Sequence, residues 1–430
     1  MALRLGIAGL GNVGCGLLEL IQQQDVLRLP GDVAIAGVTA RNRSRTRSVS
    51  IEGLPWFDSA EALATQDDVD VFVELIGGSD GPAKVAVEAA LKAGKPVVTA
   101  NKALIAHHGR ALAERAEAQG VDLLFEAAVA GGVPIVRALR DSLAGVAVQR
   151  VSGILNGTCN YLTTEMLSSG RRYDDVLADA QALGYAEADP TLDVSGLDAA
   201  HKAAILSAIA FSADIDFDKV AVSGVEGLDL LDLKFAERLG YTVKLIAEGV
   251  MTPDGVVCRV EPKALKQDHP LAQVHGSLNT VRVEGAPLGA VVLTGPGAGA
   301  GPTASAVMGD IAKLFRPGVR SAFGRAPHHE RRIFVAPGEE ERSPWFLRLR
   351  LADRSGALAQ LSEALAHESV SIDQLLQESA DEEGGSPIGI VTHICTGEDL
   401  ARAMNKMSDE DTLMDVPRLI RIETGRQFSI

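Results

Sequence analysis

Over residues 3–126 the chain alternates short, almost unbroken apolar runs with longer stretches in which apolar positions recur every three or four residues. The runs Leu3–Ala8, Val33–Ala40, Val69–Ile76, Lys95–Ala100 and Val121–Glu126 predict strands. The stretches Gly14–Gln23, Ser59–Gln66, Pro82–Ala93 and Ala103–Gln119 predict helices. Strands separated by helices need crossover connections, so this part predicts an α/β layout built on a doubly wound parallel sheet.

From Gly131 to about Thr294 the pattern is mixed. Val133–Leu143 and Cys159–Ser168 predict helices, and Val146–Ile154, Tyr241–Met251 and Thr280–Gly285 predict strands, an α+β unit. Gly295–Asp310 predicts a glycine-rich loop entering a helix, with Pro302 near its start. Residues 336–345 carry the Pro, Gly and charge of a linker. Beyond them Phe346–Leu351, Ser355–His367, Val370–Glu378, Ile388–Cys395, Glu398–Met407 and Leu413–Glu423 give the order βαββαβ, the ferredoxin-like plan. The expected units are 1–130 with 302–335 returning to it, 131–301, and 346–430.

Charge removes whole classes of function. With 41 basic and 57 acidic residues among 430, the net charge is −16, which leaves little to neutralise phosphates or anionic lipid. No nucleic acid or membrane is expected as a partner. No apolar run reaches the roughly 18 residues of a membrane span. Cys15, Cys159, Cys258 and Cys395 are widely separated, with no CxxC pair, so reduced thiols in a cytoplasmic protein are expected.

The sequence GLGNVG (Gly9, Gly11, Asn12, Val13, Gly14) lies between the first predicted strand and helix. Three glycines there allow a tight turn, backbone approach to a pyrophosphate and close helix–strand packing, with the helix N-terminus meeting the anion. The second strand runs into TARNRSRTR rather than an acidic residue. Arg41, with Arg43 and Arg45, suits a 2′-phosphate and leans toward NADP over NAD; a solvated basic loop is the other reading.

A second constellation is ALGYAEADPTLDVSGLDAAHK, where Glu187, Asp189, Asp193 and Asp198 precede Lys202. Asp198 and Lys202, at i and i+4, share one face of a helix that then turns almost wholly apolar. Such a pair is either an ordinary helical ion pair or a held proton donor for a developing alkoxide. TANK places Thr99, Asn101 and Lys102 at the C-terminal edge of a predicted strand, where doubly wound sheets bind ligands. FEAAVAGGVPIV carries Glu126 into a run whose carbonyls are either cation ligands or part of a tight crossover between units.

Together with ELIGG (Glu74–Gly78), GILNGTCNY (Gly153–Tyr161) and GPGAGAGPTASAV, these stretches closely resemble the homoserine dehydrogenase family in its monofunctional form with a C-terminal ACT domain. The resemblance spans residues 3–330, and LADRSGALAQL resembles the opening of an ACT domain. It implies a Rossmann-like NAD(P)-binding domain, a catalytic and oligomerisation domain, and an ACT regulatory domain. The implied reaction is NAD(P)-dependent interconversion of L-aspartate 4-semialdehyde and L-homoserine, toward threonine, methionine and isoleucine. By the same resemblance Lys202 is the proton donor and Lys102 contacts the cofactor and assists. Glu187 and Asp198 bind substrate, supported by Asp193, while Gly184, Gly301 and Thr99 stand near the cofactor. A sodium site falls on Glu126, Val129, Gly131 and Val133, mainly through carbonyls. Threonine is the implied effector, and a homodimer or homotetramer the implied assembly. Two other readings are a dehydrogenase acting on an amino group and a non-enzymatic sensor of dinucleotide and amino acid.

Overall fold

The structure is a computed structural model and describes residues 2–186, 188–316, 318–319, 321–324, 332–338, 341–381, 384–408 and 412–424. Its first sheet contains β1 (Leu3–Ala8), β2 (Val33–Thr39), β3 (Val71–Glu74), β4 (Val97–Thr99) and β5 (Leu123–Leu124), all parallel, in the order β2-β1-β3-β4-β5. Helices α1 (Asn12–Gln22), α2 (Ala60–Ala64), α3 (Pro82–Lys92) and α4 (Lys102–Ala118) make the connections. Ser59 and Asn101 cap α2 and α4 through their side chains. This is the doubly wound sheet that the alternation predicts. Its last strand is shorter than the apolar run because Glu126 leaves the ladder: its amide donates to Asp310 Oδ2 at 2.8 Å. The stretch predicted as one helix, Val133–Leu143, is a short α5 (Ile135–Arg137) continuing into a π-turn over Ala138–Ser142.

The middle of the chain supplies β6 (Ala147–Ile154), α6 (Gly157–Ser169), α7 (Tyr173–Ala182), α8 (Thr191–Val194) and α9 (Leu197–Phe211). It continues with two short strands, β7 (Ala213–Asp214) and β8 (Ala221–Val222), and with α10 (Leu230–Arg238). Then come β9 (Tyr241–Thr252), β10 (Gly255–Lys266), β11 (Leu278–Ala286) and β12 (Gly289–Pro296). The helix α11 (Ala300–Lys313) returns to the first unit: Ala304, Val307 and Ile311 share a core with Leu5, Ile7 and Leu17. A Cβ on Gly16 would sit 2.9 Å from the Ala300 carbonyl, so α1 and α11 touch through backbone.

Besides the two-residue strands β7 and β8, two strands of this region escape the apolar pattern, β10 and β12. In β10 the sequence GVVCRVEPKALK carries Arg259, Glu261, Pro262 and Lys263, which reads as solvent-facing. Yet Arg259 and Lys263 are buried, held on the equally buried Glu248 at 2.8 and 2.5 Å, with Arg150 on the same carboxylate. Burying cations against a shared carboxylate replaces the polar–apolar alternation on which strand recognition rests.

After β13 (Arg332–Val335) and β14 (Arg342–Ser343), the C-terminal unit runs β15 (Trp345–Ala352), α12 (Ala357–His367), β16 (Ile372–Gln377), β17 (Gly385–Thr392), β18 (Cys395–Thr396), α13 (Gly397–Ser408) and β19 (Arg418–Ile422). Its main strands are antiparallel in the order β19-β15-β17-β16, as the βαββαβ plan requires. The stretch expected as a linker therefore ends in strands, β14 pairing with β18. β19 also pairs parallel with β10 (Lys263↔Arg421), so one sheet runs from β12 through to β16. Trp345, Leu347, Leu349 and Leu351 pack with α12 and α13, whereas Phe346 joins the core of the middle unit.

Candidate active site

The nucleotide end is built from backbone. Gly9 has φ +107, and a Cβ there would overlap the carbonyl of Leu75; one on Gly14 would overlap the carbonyl of Gly9. Gly11 has nothing within 4 Å of its ideal Cβ, so open space faces the first turn of α1 at Asn12 and Val13, where no side chain caps the helix. Tight packing at two glycines and free approach at the third is the arrangement a pyrophosphate needs. Arg41 stands exposed after β2. Arg47 braces its loop by donating to the carbonyls of Asn42 (2.6 Å), Arg45 (2.8 Å) and Arg43 (3.1 Å). Arg43 lies 5.5 Å from the Trp56 ring centre; Arg43, Arg45, Arg47 and Trp56 line a cavity of ≈ 430 Å³ beside this strand end.

At the C-terminal edge of the sheet Glu74 is fully buried and accepts from the amides of Ile76 (2.7 Å) and Gly77 (3.1 Å) and from Thr99 Oγ1 (2.5 Å). Thr99 Oγ1 accepts from the Asn101 amide at 2.9 Å, and Asn101 Nδ2 donates to the Gly78 carbonyl at 2.7 Å. Thr99 thus shapes the strand end with a hydroxyl that is already engaged. Glu74 falls within a quoted motif, but its role as the tie between β3 and β4 comes from a contact 25 residues away.

A lysine–carboxylate cluster gathers on α9. Lys202 Nζ donates to Asp198 Oδ2 (2.7 Å) and to the Leu155 carbonyl (2.7 Å); both side chains are about nine-tenths buried, at 10% and 9% exposure. Lys102, from the start of α4, lies 3.1 Å from Asp198 Oδ1. Burial alone would raise the Asp198 carboxyl, but Lys202, Lys102 and Asn156 together hold it well below the usual range. Asn156 Nδ2 bridges Asp198 Oδ2 (2.9 Å) and Asp193 Oδ1 (2.7 Å). Thr158 Oγ1 donates to the Tyr185 carbonyl at 2.7 Å, with Asp193 Oδ2 at 3.3 Å. Burial, then the charge of Asp198, pushes the Asp193 carboxyl up.

The structure therefore brings Lys102, Asp193, Asp198 and Lys202 together. Gly184, left-handed at φ +75, lies just before Tyr185 on this side, and Gly301 occupies the first turn of α11 with open space at its Cβ position. Glu187 lies outside the described residues. Asn156 and Asn279 have no assigned role in the sequence reading; Asn279 Nδ2 donates to the same Leu155 carbonyl, at 3.0 Å. Nor does the His107–His201 pair, whose Nε2 atoms are 3.3 Å apart between α4 and α9, both rings packed on Phe217. Burial, then His107, pulls the His201 imidazole down to about 4.

At the Glu126 loop the carboxylate is fully used. Oε1 accepts from the Val136 amide (2.9 Å), and Oε2 from the Arg137 amide and Nε (both 2.9 Å). A cation here would rest on carbonyl oxygen. Ala130 and Gly131 have φ of +54 and +45, and this irregular backbone withdraws their stretch from regular ladders. The loop's chemistry fits a hard monovalent cation held through main-chain oxygens.

A parallel sheet with this glycine loop, and a buried lysine–carboxylate pair beside it, define an NAD(P)-dependent oxidoreductase acting on a small substrate. Family models match in two parts: "Homoserine dehydrogenase, NAD binding domain" over residues 9–126 and "Homoserine dehydrogenase" over residues 134–312. A homoserine dehydrogenase of Mycobacterium tuberculosis is 41% identical, with 97% of each chain covered; one of Synechocystis is 38% identical, covering 98% of this chain and all of that one. The crystal structure of a homoserine dehydrogenase from Thiobacillus denitrificans superposes with a TM-score of 0.89 at 36% identity, covering 98% of both chains. A hyperthermophilic archaeal homoserine dehydrogenase in complex with NADPH matches at TM-score 0.63 and 28% identity, over 74% of this chain and all of that one. The chain belongs to the homoserine dehydrogenase family.

Proposed function

We propose that Lys202 is the proton donor in the reduction of L-aspartate 4-semialdehyde to L-homoserine, with Asp198 as its anchor. The observation that carries this reading is the Asp198 carboxylate held between two lysines, at 2.7 and 3.1 Å. The nicotinamide, when bound, supplies the hydride. Lys202 Nζ then delivers a proton to the carbonyl oxygen as charge develops there, and takes it back in the oxidative direction. Asp198 and the Leu155 carbonyl fix the direction of the ammonium. Asp193 and Glu187 accept from the substrate's own ammonium, a charge-assisted contact suited to an amino acid. Lys102, at the junction with the nucleotide unit, contacts the cofactor and assists.

The pyrophosphate rests on Gly9, Gly11, Asn12, Val13 and Gly14, with Thr99, Gly184 and Gly301 around the rest of the cofactor. NADP is favoured over NAD, since the strand end that would meet a ribose carries Arg41 and an arginine-lined cavity instead of a carboxylate. Sodium is the cation for the carbonyls of Glu126, Val129, Gly131 and Val133. The C-terminal unit is an ACT domain, and threonine its effector: Gly356, left-handed at φ +91, opens α12 at the DRSG turn, where amides can receive a carboxylate. A homodimer or homotetramer is favoured by the exposed apolar Leu288 and Val292 at the edge of the large sheet. A cytoplasmic location agrees with four buried free cysteines. No helix among the described residues is long and apolar enough to cross a membrane. Homoserine-dependent reduction of NADP and of NAD at alkaline pH tests the reading; turnover dependent on ammonia and absent with homoserine overturns it.

A further inference from the structure

Besides the β19–β10 pairing, the C-terminal unit meets the middle unit at a buried carboxylate, Asp232. Asp232, in the first turn of α10, is fully buried. It accepts from Arg348 Nε of β15 at 2.7 Å, and Arg418 Nε of β19 stands 3.6 Å from its other oxygen. Arg418 also donates to the carbonyl of Gly227, whose φ of +75 turns the chain into α10.

The segment so held runs directly to the substrate side. The Val225 amide donates to the Val194 carbonyl at 2.8 Å. A Cβ on Gly224 would overlap that same carbonyl and the backbone of Ser195, so backbone lies on backbone with no side chain between. Val194 ends α8, which carries Asp193, and Asp193 meets Asn156, the residue that also bonds Asp198.

We propose that Arg348 and Arg418 are positioning residues for the substrate carboxylates: they fix the 224–228 turn against α8, and α8 thereby presents Asp193 to Asn156 and the Asp198–Lys202 pair. The inference rests on the catalytic reading above and extends it, because it makes the C-terminal unit part of the scaffold of the substrate pocket. Losing either arginine leaves Asp232 buried with one cation and the Asp229 amide (2.8 Å), and the start of α10 that it caps, next to the 224–228 turn, can then relax. None of these contacts involves residues 9–14 of the glycine loop, so the effect falls on one substrate.

The test uses the full chain with Arg418→Met, Arg348→Met and the conservative Arg418→Lys. KM is measured for homoserine at saturating NADP and for NADP at saturating homoserine. Hydrogen exchange is followed in peptides spanning residues 191–196 and 222–229. Arg418→Met is expected to raise the homoserine KM about tenfold while the NADP KM stays within about twofold. Exchange should quicken in both peptides, and Arg418→Lys should recover part of each effect. A folded variant with unchanged exchange in 191–196, or with both KM values raised together, overturns the proposal. Should Arg418→Met not fold, Arg418→Lys and Arg348→Met carry the same comparison. If the wild type never turns over homoserine, the catalytic reading fails by itself, and the exchange data still decide whether these arginines hold α8.

Discussion

Lys102 Nζ lies 3.1 Å from Asp198 Oδ1, although 96 residues separate them and they sit on helices of different units. Lys102 begins the helix that follows the fourth strand of the nucleotide sheet; Asp198 lies in the first turn of the helix that carries Lys202. The helix that follows the nucleotide sheet and the helix of Lys202 thus close on a single carboxylate.

With Lys202 as the proposed proton donor, replacing that carboxylate should cut turnover without unfolding the chain. In Asp198→Asn, Lys202 keeps the Leu155 carbonyl but loses its counter-charge and the carboxylate oxygen that fixes its direction. A kcat loss of about 10²–10⁴ is expected, the range of general acid–base contributions. Steady-state kinetics beside a thermal melt separates this from misfolding.

Asp310 predicts an inverted pH dependence of stability. Burial, then the neighbouring Glu126, pushes its carboxyl up to about 7. The folded state therefore binds a proton that the unfolded chain releases near 4, and this contribution to stability falls as pH rises from about 4 to 7. Asp310→Asn removes the titration, so its melting temperature relative to wild type should climb between pH 5 and pH 8. A constant difference across that interval contradicts the assignment.

Gly11→Ala separates binding from folding. Nothing lies within 4 Å of the added Cβ, and φ is an ordinary −81, so stability should change by less than about 0.5 kcal/mol. The methyl instead occupies the approach to the first turn of α1, and the dinucleotide Kd should rise at least about tenfold. Calorimetric titration against a denaturation curve reads both.

Arg41→Ala should lower the preference for NADP over NAD by about tenfold, the scale of one lost charge-assisted contact. The ratio of kcat/KM for the two cofactors measures it. An unchanged ratio would contradict Arg41 as the residue that favours NADP.

What the sequence makes legible here follows from range. The glycine loop and the Asp198–Lys202 pair are local, spaced by one turn or less, so periodicity and motif expose them. The same holds for the alternation of the first unit and the βαββαβ order of the last. Lys102 on Asp198, Thr99 on Glu74 and His107 on His201 are each closed by tertiary folding, and no spacing announces them; the strand-end position and the family resemblance point to Lys102 as a site residue, but neither announces its contact with Asp198. β10 is hidden for a different reason, because its charged residues are buried against Glu248 rather than turned to water. The joining of β19 to β10 likewise leaves no trace in either strand alone.

The most direct test of the catalytic reading is homoserine oxidation by Lys202→Ala, measured beside cofactor and homoserine binding on the same preparation. The expected result is retained binding of NADP with kcat lowered by at least about 10². Turnover at the wild-type rate in a folded Lys202→Ala protein would contradict the assignment of the proton to this residue.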